Sequence, residues 1–328
     1  MTEQTIAFTI GALPVYTYGL IVALAAALGL LLLHFTGRQA GLPGDTAVRF
    51  GLWAIPLGLL GGRALFVAMR FSLVVNELGW QQVFKVWDGG FALFGVLPGC
   101  LLAAWLCAKR MRVRTAVLMD AAAPGAAIAL AVARFAEYFT LQGVGQPVDA
   151  TALQWFPLAM QNRYGEWMMP VFLWEGIAAL CIAWAAYRAF VHPNRKPLDA
   201  ALSFLALLGV TQVLLESLRT DDILRLGLVK ASQLTAMGCV LAAAAVRAAQ
   251  ALKSGAKGSR VLWLLGGLLV AVGVCITVEF ALDKSTVPNG LLYLFMALSL
   301  SGMAFIVALL KKYTLHTMAA GSLGKRKE

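Results

Sequence analysis

Residues 115–139 read TAVLMDAAAPGAAIALAVARFAEYF. At 1.5 Å per residue, an apolar stretch of this length forms a helix able to cross ~30 Å of hydrocarbon. Charge enters it only at Asp120, Arg134 and Glu137. An arginine inside such a span costs at least about 2.5–3.5 kcal/mol if it meets lipid, so Arg134 is expected to face the interior of a bundle, paired or solvated. Arg134 and Glu137 stand three residues apart on one helix face. That spacing allows a self-neutralising intrahelical bridge, or one edge of a sheltered polar site.

Similar apolar runs fill the 328-residue chain, which is 60% hydrophobic and 13% charged. Average soluble domains have about 45–50% and about 25%, so a water-soluble globule is excluded. Nine spans are expected, at about 13–35, 50–69, 91–108, 115–139, 170–190, 199–217, 231–249, 261–282 and 288–310. The fold class is therefore an all-α polytopic membrane protein, a bundle of about nine transmembrane helices. The formal charge of +11 sits mainly in the gaps between spans. Orientation in a membrane explains it there, so nucleic acid is not expected as a partner.

Cys100, Cys107, Cys181, Cys239 and Cys275 lie inside apolar runs without CxxC spacing and read as core-packing residues. His34, His192 and His316 fall at helix ends or in basic loops. A metal site, a haem pair and an intramembrane imidazole catalyst are not expected, and no cofactor is implied.

No Lys or Arg precedes Arg38, so the first run is not read as a signal peptide and the N-terminus is expected outside. Basic residues then concentrate in alternate gaps: Arg38 and Arg49, Lys109 to Arg114, Arg188 to Lys196, Arg247 to Arg260, and Lys311 onward. These gaps are expected inside, with the C-terminus. Arg70, Lys85, Arg163, Arg219, Arg225, Lys230 and Lys284 make up the sparser outer set. Arg63 and Arg134 lie within spans, and Glu175, Glu216 and Glu279 lie within or at the edge of others. If Arg63 and Arg134 meet Glu175 and Glu216, an outward-facing polar pocket results.

The outer segments 70–90 and 141–169 carry Trp80, Trp87, Trp155, Phe156, Tyr164 and Trp167. Such residues anchor a protein at the headgroup level, or form a lid over a lipid or peptide substrate.

Several segments, in order, resemble one family. Tyr16-Thr17-Tyr18-Gly19-Leu20 is similar to its Arg-Trp-Tyr-Gly-Leu, and Gly61-Gly62-Arg63-Ala64-Leu65-Phe66 to its Gly-Gly/Ala-Arg motif. Trp87-Asp88-Gly89-Gly90 resembles its Trp-x-Gly-Gly turn, and Asp120 with Pro124 its Asp-x-x-x-Pro helix. Ala133-Arg134 and Gly145 match the two ends of its signature Gly-Arg-x-x-Asn-Phe-x-Asn-Gly-Glu-x-x-Gly. Pro170 to Glu175 resembles His-Pro-Ser-Gln-Leu-Tyr-Glu, Glu216 to Asp221 resembles Glu-Phe-Phe-Arg-x-Asp, and Ser232-Gln233 resembles Gly-Gln. The family is prolipoprotein diacylglyceryl transferase, and the resemblance covers roughly residues 13–249.

It implies a seven-span core in a bacterial inner membrane. The implied activity is lipoprotein biosynthesis, with a diacylglyceryl group moved from phosphatidylglycerol to the lipobox cysteine of a prolipoprotein and glycerol phosphate released. The anionic headgroup needs guanidinium groups, and the thiol needs a base or a positive field. The expected catalytic residues are Arg134, Glu137 and Glu216, and the expected lipid-binding residues are Tyr18, Arg63, Glu175, Arg219 and Gly145. The chain departs from the pattern where Phe94 replaces a histidine, Gln212 an arginine, Glu137 and Thr140 asparagines, Gln142 a glutamate and Met169 a histidine. Two readings follow: a transferase with a carboxylate as proton acceptor, or a non-catalytic relative that binds an anionic lipid or lipopeptide. An unrelated transporter would require matching halves with broken helices, and no internal repeat is evident.

Residues 250–328 lie beyond the resemblance and are read as a second part, two further spans and a basic tail ending Lys325-Arg326-Lys327-Glu328. Glu279 is expected at the interface, paired with Lys284. Ser299, Ser301 and Gly302 give the ninth span a small face for close packing.

Overall fold

The computed structural model describes residues 5–324 apart from 12, 86–89, 141, 163, 221–224 and 227–228. Trp87, Asp88 and Gly89 of the turn motif, Arg163, Asp221 and the basic tail lie outside the described residues. Among those described, nine helices are long and apolar enough to cross a membrane. They are α1 (Thr17–Gln39), α2 (Thr46–Met69), α3 (Leu93–Met111), α4 (Thr115–Ala136), α5 (Val171–Val191), α6 (Asp199–Leu218), α7 (Ala231–Lys253), α8 (Gly258–Lys284) and α9 (Asn289–Gly324).

The first span differs from expectation. Residues 13–16 are not helical: β1 (Ile6–Ile10) and β2 (Leu13–Tyr16) pair antiparallel, and α1 begins only at Thr17. Gly11 takes φ +61° at the turn, Pro14 disfavours helix at the residue before it, and Ile6, Phe8 and Val15 favour extended backbone. Apolar content alone does not distinguish such a strand from a helix start. Two further hairpins and two short helical turns occupy the same end of the bundle. The hairpin of β3 (Met160–Gln161) and β4 (Trp167–Met168) lies between α4 and α5, and β5 (Arg225–Leu226) pairs with β6 (Val229–Lys230) between α6 and α7. Segment 70–90 contains a π-helical turn, Ser72–Glu77, and a 3-10 turn, Trp80–Val83.

Helices pack through small residues where backbones approach closely. Gly29 of α1 faces Gly125 of α4, where an added Cβ would stand 2.8 Å from the Gly125 carbonyl oxygen. Gly61 of α2 and Gly95 of α3 face each other in the same way. One apolar cluster joins α1, α3, α4, α5 and α6 through Leu33, Ala104, Leu118, Ile182 and Leu208. A second joins α6, α7, α8 and α9 through Val213, Val240, Leu268, Met296 and Met303. Leu52, Trp184, Leu262 and Trp263 point outward, as a lipid-solvated surface requires. Asp120, an acid inside a span, accepts from the backbone amides of Leu198, Ala200 and Ala201 at 2.7, 2.9 and 3.1 Å. It satisfies orphan donors at the start of α6 from the neighbouring helix α4.

The C-terminal pair is docked on the rest, with α9 against α6 and α7 and α8 against α9. Ser299 donates to Ala271 O on α8 at 3.0 Å, so the small face contributes there, while Ser301 turns back to Ala297 O and is exposed.

Candidate functional site

At the hairpin end, four segments converge on one buried polar cluster. Arg134 and Glu137 stand one turn apart where α4 runs into a 3-10 turn, Glu175 lies in the second turn of α5, and Gln212 and Glu216 share a face of α6 with i,i+4 spacing. Arg219 follows directly after α6.

Arg134 is the hub. Its Nη1 donates to Glu137 Oε1 at 2.5 Å, its Nη2 donates to Gln212 Oε1 at 3.1 Å, and its Nε stands 3.3 Å from Glu175 Oε2. Arg219 Nη1 donates to Glu175 Oε2 at 2.8 Å and lies 3.3 Å from Glu137 Oε2. Gln212 Nε2 donates to Glu175 Oε1 at 2.9 Å. Both guanidiniums are thus bridged by shared carboxylates in a place where an unpaired charge would be costly. Glu216, 4% exposed, sits within electrostatic range of Arg134 and Glu175, and its Oε1 has no hydrogen-bond partner among the described residues.

Backbone geometry holds this arrangement. Gly143 takes φ +72°, where a Cβ would stand 2.8 Å from the Phe172 Cβ and run into the Glu137 carboxylate. Gly145 forms a bridge with Arg219 and donates to Met169 O at 2.7 Å, so the chain passes too closely for any side chain. Gly145 therefore acts here through the backbone that places Arg219. Tyr18, in the first turn of α1, lies within electrostatic range of Glu137, Arg134 and Arg219.

Arg63, expected beside Arg134, has its described partners elsewhere. Its Nε donates to Val83 O at 3.2 Å, its Nη1 to Gly90 O at 3.1 Å and its Nη2 to Gln82 O, and the guanidinium lies over the Phe66 ring. It fastens segment 82–90 to α2, since loop carbonyls at membrane depth need a donor as much as a carboxylate does. Phe94 belongs to the apolar cluster of α6–α9.

Two residues were misjudged from sequence. Gln212, read only as a lost arginine, sits at the centre of the network. Lys230, read as an outer-loop charge, is 6% exposed, and its Nζ donates to Glu216 O at 2.7 Å and Arg219 O at 2.6 Å. The i,i+4 spacing of Gln212 and Glu216 was a usable signal, whereas nothing local marks Lys230 as buried. Glu279, expected to pair with Lys284, instead accepts from Gln233 Nε2 on α7, because α8 presents that face to the bundle.

Fold and site together define a multi-pass helical membrane protein with a sheltered ionic cluster at one end. The prolipoprotein diacylglyceryl transferase family matches residues 5–249, and this chain belongs to that family, a family of transferases. The phosphatidylglycerol–prolipoprotein diacylglyceryl transferase of Bacillus licheniformis is 29% identical over 252 residues, 74% of this chain and 90% of that protein. The protein of the same name from Lactococcus lactis subsp. cremoris is 28% identical over 233 residues, 70% and 87% of the two chains. One from Streptomyces griseus is 33% identical over 162 residues, 46% and 47%. Helices α8 and α9 lie beyond the matched residues.

Proposed function

We propose that this protein transfers the diacylglyceryl group of phosphatidylglycerol to the cysteine thiol of a prolipoprotein signal peptide. The observation that supports this most directly is the pair of buried guanidiniums, Arg134 and Arg219, bridged by Glu175 at the end of the bundle where the loops gather. The thiol sulfur attacks the glyceryl carbon bonded to the phosphate oxygen, the carbon–oxygen bond breaks, and glycerol phosphate leaves with that electron pair. Charge develops on the leaving phosphate, where Arg134 and Arg219 stabilise it. The thiol proton passes to a carboxylate. Glu216 is the acceptor in this reading because its Oε1 is uncommitted, whereas Glu137 is engaged by Arg134 and faces Arg219. The incoming phosphate takes the place of Glu137 on Arg134, which makes Glu137 a resident counter-ion as well as a second acidic group of the site. Tyr18 borders the site, Gly145 sets Arg219, and Arg63 secures the outer segment beside α2.

In this reading residues 1–249 carry the chemistry and residues 250–328 are an addition to it. The protein lies in a bacterial inner membrane with its N-terminus outside and C-terminus inside, which the loop charges support. A second reading, a non-catalytic relative that binds an anionic lipid or lipopeptide, is favoured by one observation: each guanidinium already has a carboxylate partner. Purified protein given phosphatidylglycerol and a lipobox peptide decides between them. Glycerol phosphate release that is lost in Arg134→Lys supports the transferase, while lipid binding that needs Arg134 without any release selects the second reading.

A further inference from the structure

The end of α6 carries Glu216, Ser217 and Arg219, and three layers of hydrogen bonding stand behind it. Lys230 Nζ holds the carbonyls of Glu216, which also takes the Arg219 amide at 3.3 Å, and of Arg219 at the end of the helix, where carbonyls run short of intrahelical donors. The backbone amide of Lys230 donates to Gln233 Oε1 at 3.0 Å, which fixes where that ammonium starts from. Gln233 Nε2 in turn donates to Glu279 Oε1 on α8. A carboxylate only accepts here, so Glu279, together with the Val213 carbonyl that takes the same nitrogen at 3.3 Å, holds the amide of Gln233 with its nitrogen away from Lys230 and its oxygen toward it. Helix α8 lies outside the family match and packs on α9, which lies along α6 and α7, so this contact reaches the site from the added pair.

We propose that Glu279 is a positioning residue: through it the added pair α8–α9 braces the end of α6 and sets the placement of Glu216 and Arg219. This deepens the transferase reading and rests on it for its kinetic consequence.

The test uses the full-length protein in phosphatidylglycerol-containing nanodiscs with a lipobox peptide, comparing wild type, Glu279→Ala and Glu279→Gln. A glutamine keeps an acceptor oxygen for Gln233 and alanine does not. Glu279→Ala is expected to lower kcat about tenfold with KM for lipid within about twofold, a factor of ten corresponding to about 1.4 kcal/mol in the barrier. Glu279→Gln is expected to rescue most of that loss. Unchanged kcat in Glu279→Ala, or a loss in Glu279→Gln as large as in the alanine variant, overturns the proposal. Backbone hydrogen exchange over residues 213–220 is read on the same samples. Faster exchange in Glu279→Ala and wild-type exchange in Glu279→Gln support the brace, and equal exchange in all three defeats it. Because exchange does not depend on turnover, a wild-type protein without transferase activity overturns the function proposed above while this arm still decides the brace.

Discussion

The two ends of the bundle each bury a cluster of charged side chains, and they are built differently. At the end opposite the hairpins, Asp199 Oδ1 accepts from Arg247, and Oδ2 accepts from the Lys196 backbone amide at 3.0 Å and faces Lys311 Nζ at 3.4 Å. Asp120 beside it is filled by three backbone amides. Every oxygen of those two carboxylates is used, and the cluster locks α4, α6, α7 and α9 together. At the hairpin end, three acids from different segments surround two guanidiniums, the acids are shared between partners, and Glu216 keeps an uncommitted oxygen. Carboxylates with every oxygen engaged suit a structural joint, although the Nε of Arg247 has no hydrogen-bond partner among the described residues. Shared and partly uncommitted charge leaves groups that can change partners when an anion or a proton arrives.

The largest effect that separates the two ends is expected from Asp199→Ala. Removing one member of a buried pair leaves Arg247 uncompensated and lowers stability by about 3–5 kcal/mol. Yield and detergent melting temperature should fall, while the folded fraction keeps its turnover. Arg134→Lys is the counterpart: charge is retained but the planar fork is lost, so turnover should drop by about 10²–10³-fold with little change in melting. If instead Arg134→Lys melts early and the survivors turn over normally, the hairpin end is merely a second joint. Glu216→Gln sharpens the assignment of the proton acceptor. Transfer should slow by about 10²-fold, with lipid binding left within about twofold of wild type. Wild-type turnover in that variant transfers the role elsewhere. Smallest is Lys311→Met, whose side chain is partly exposed at the edge of the Asp199 cluster. Less than about 1 kcal/mol of stability should be lost, measured by chemical unfolding.

Much of the architecture follows from composition along the chain. Each expected span overlaps one observed helix, because lipid permits only backbone that satisfies itself, and about 20 apolar residues satisfy that as a helix. Residues 13–16 escaped this logic, since a strand and a helix start are equally apolar and Gly11 and Pro14 decide between them. Arg134, Glu175, Glu216 and Arg219 were marked by charge within or next to hydrocarbon and by resemblance to family motifs, Glu137 by its charge and its spacing from Arg134 although it departs from the motif, and all five converge in the structure. Arg63 carried the same mark, yet its described partners are loop carbonyls. An intramembrane arginine signals that a partner exists without saying which kind.

Sequence alone was enough to show a membrane-embedded helical bundle and to single out the ionised groups that must be sheltered, because the penalty for exposing them to lipid applies to any fold. Tertiary structure decided which of those groups meet. Gln212 became a bridge between Arg134 and Glu175, Lys230 a clamp on the end of α6, and Glu279 the partner of Gln233 on another helix. A hydrogen bond acts over about 3 Å and depends on how helices far apart in sequence rotate against one another. That rotation is set by small residues such as Gly29 and Gly125 at the contacts, and no local stretch of sequence records it.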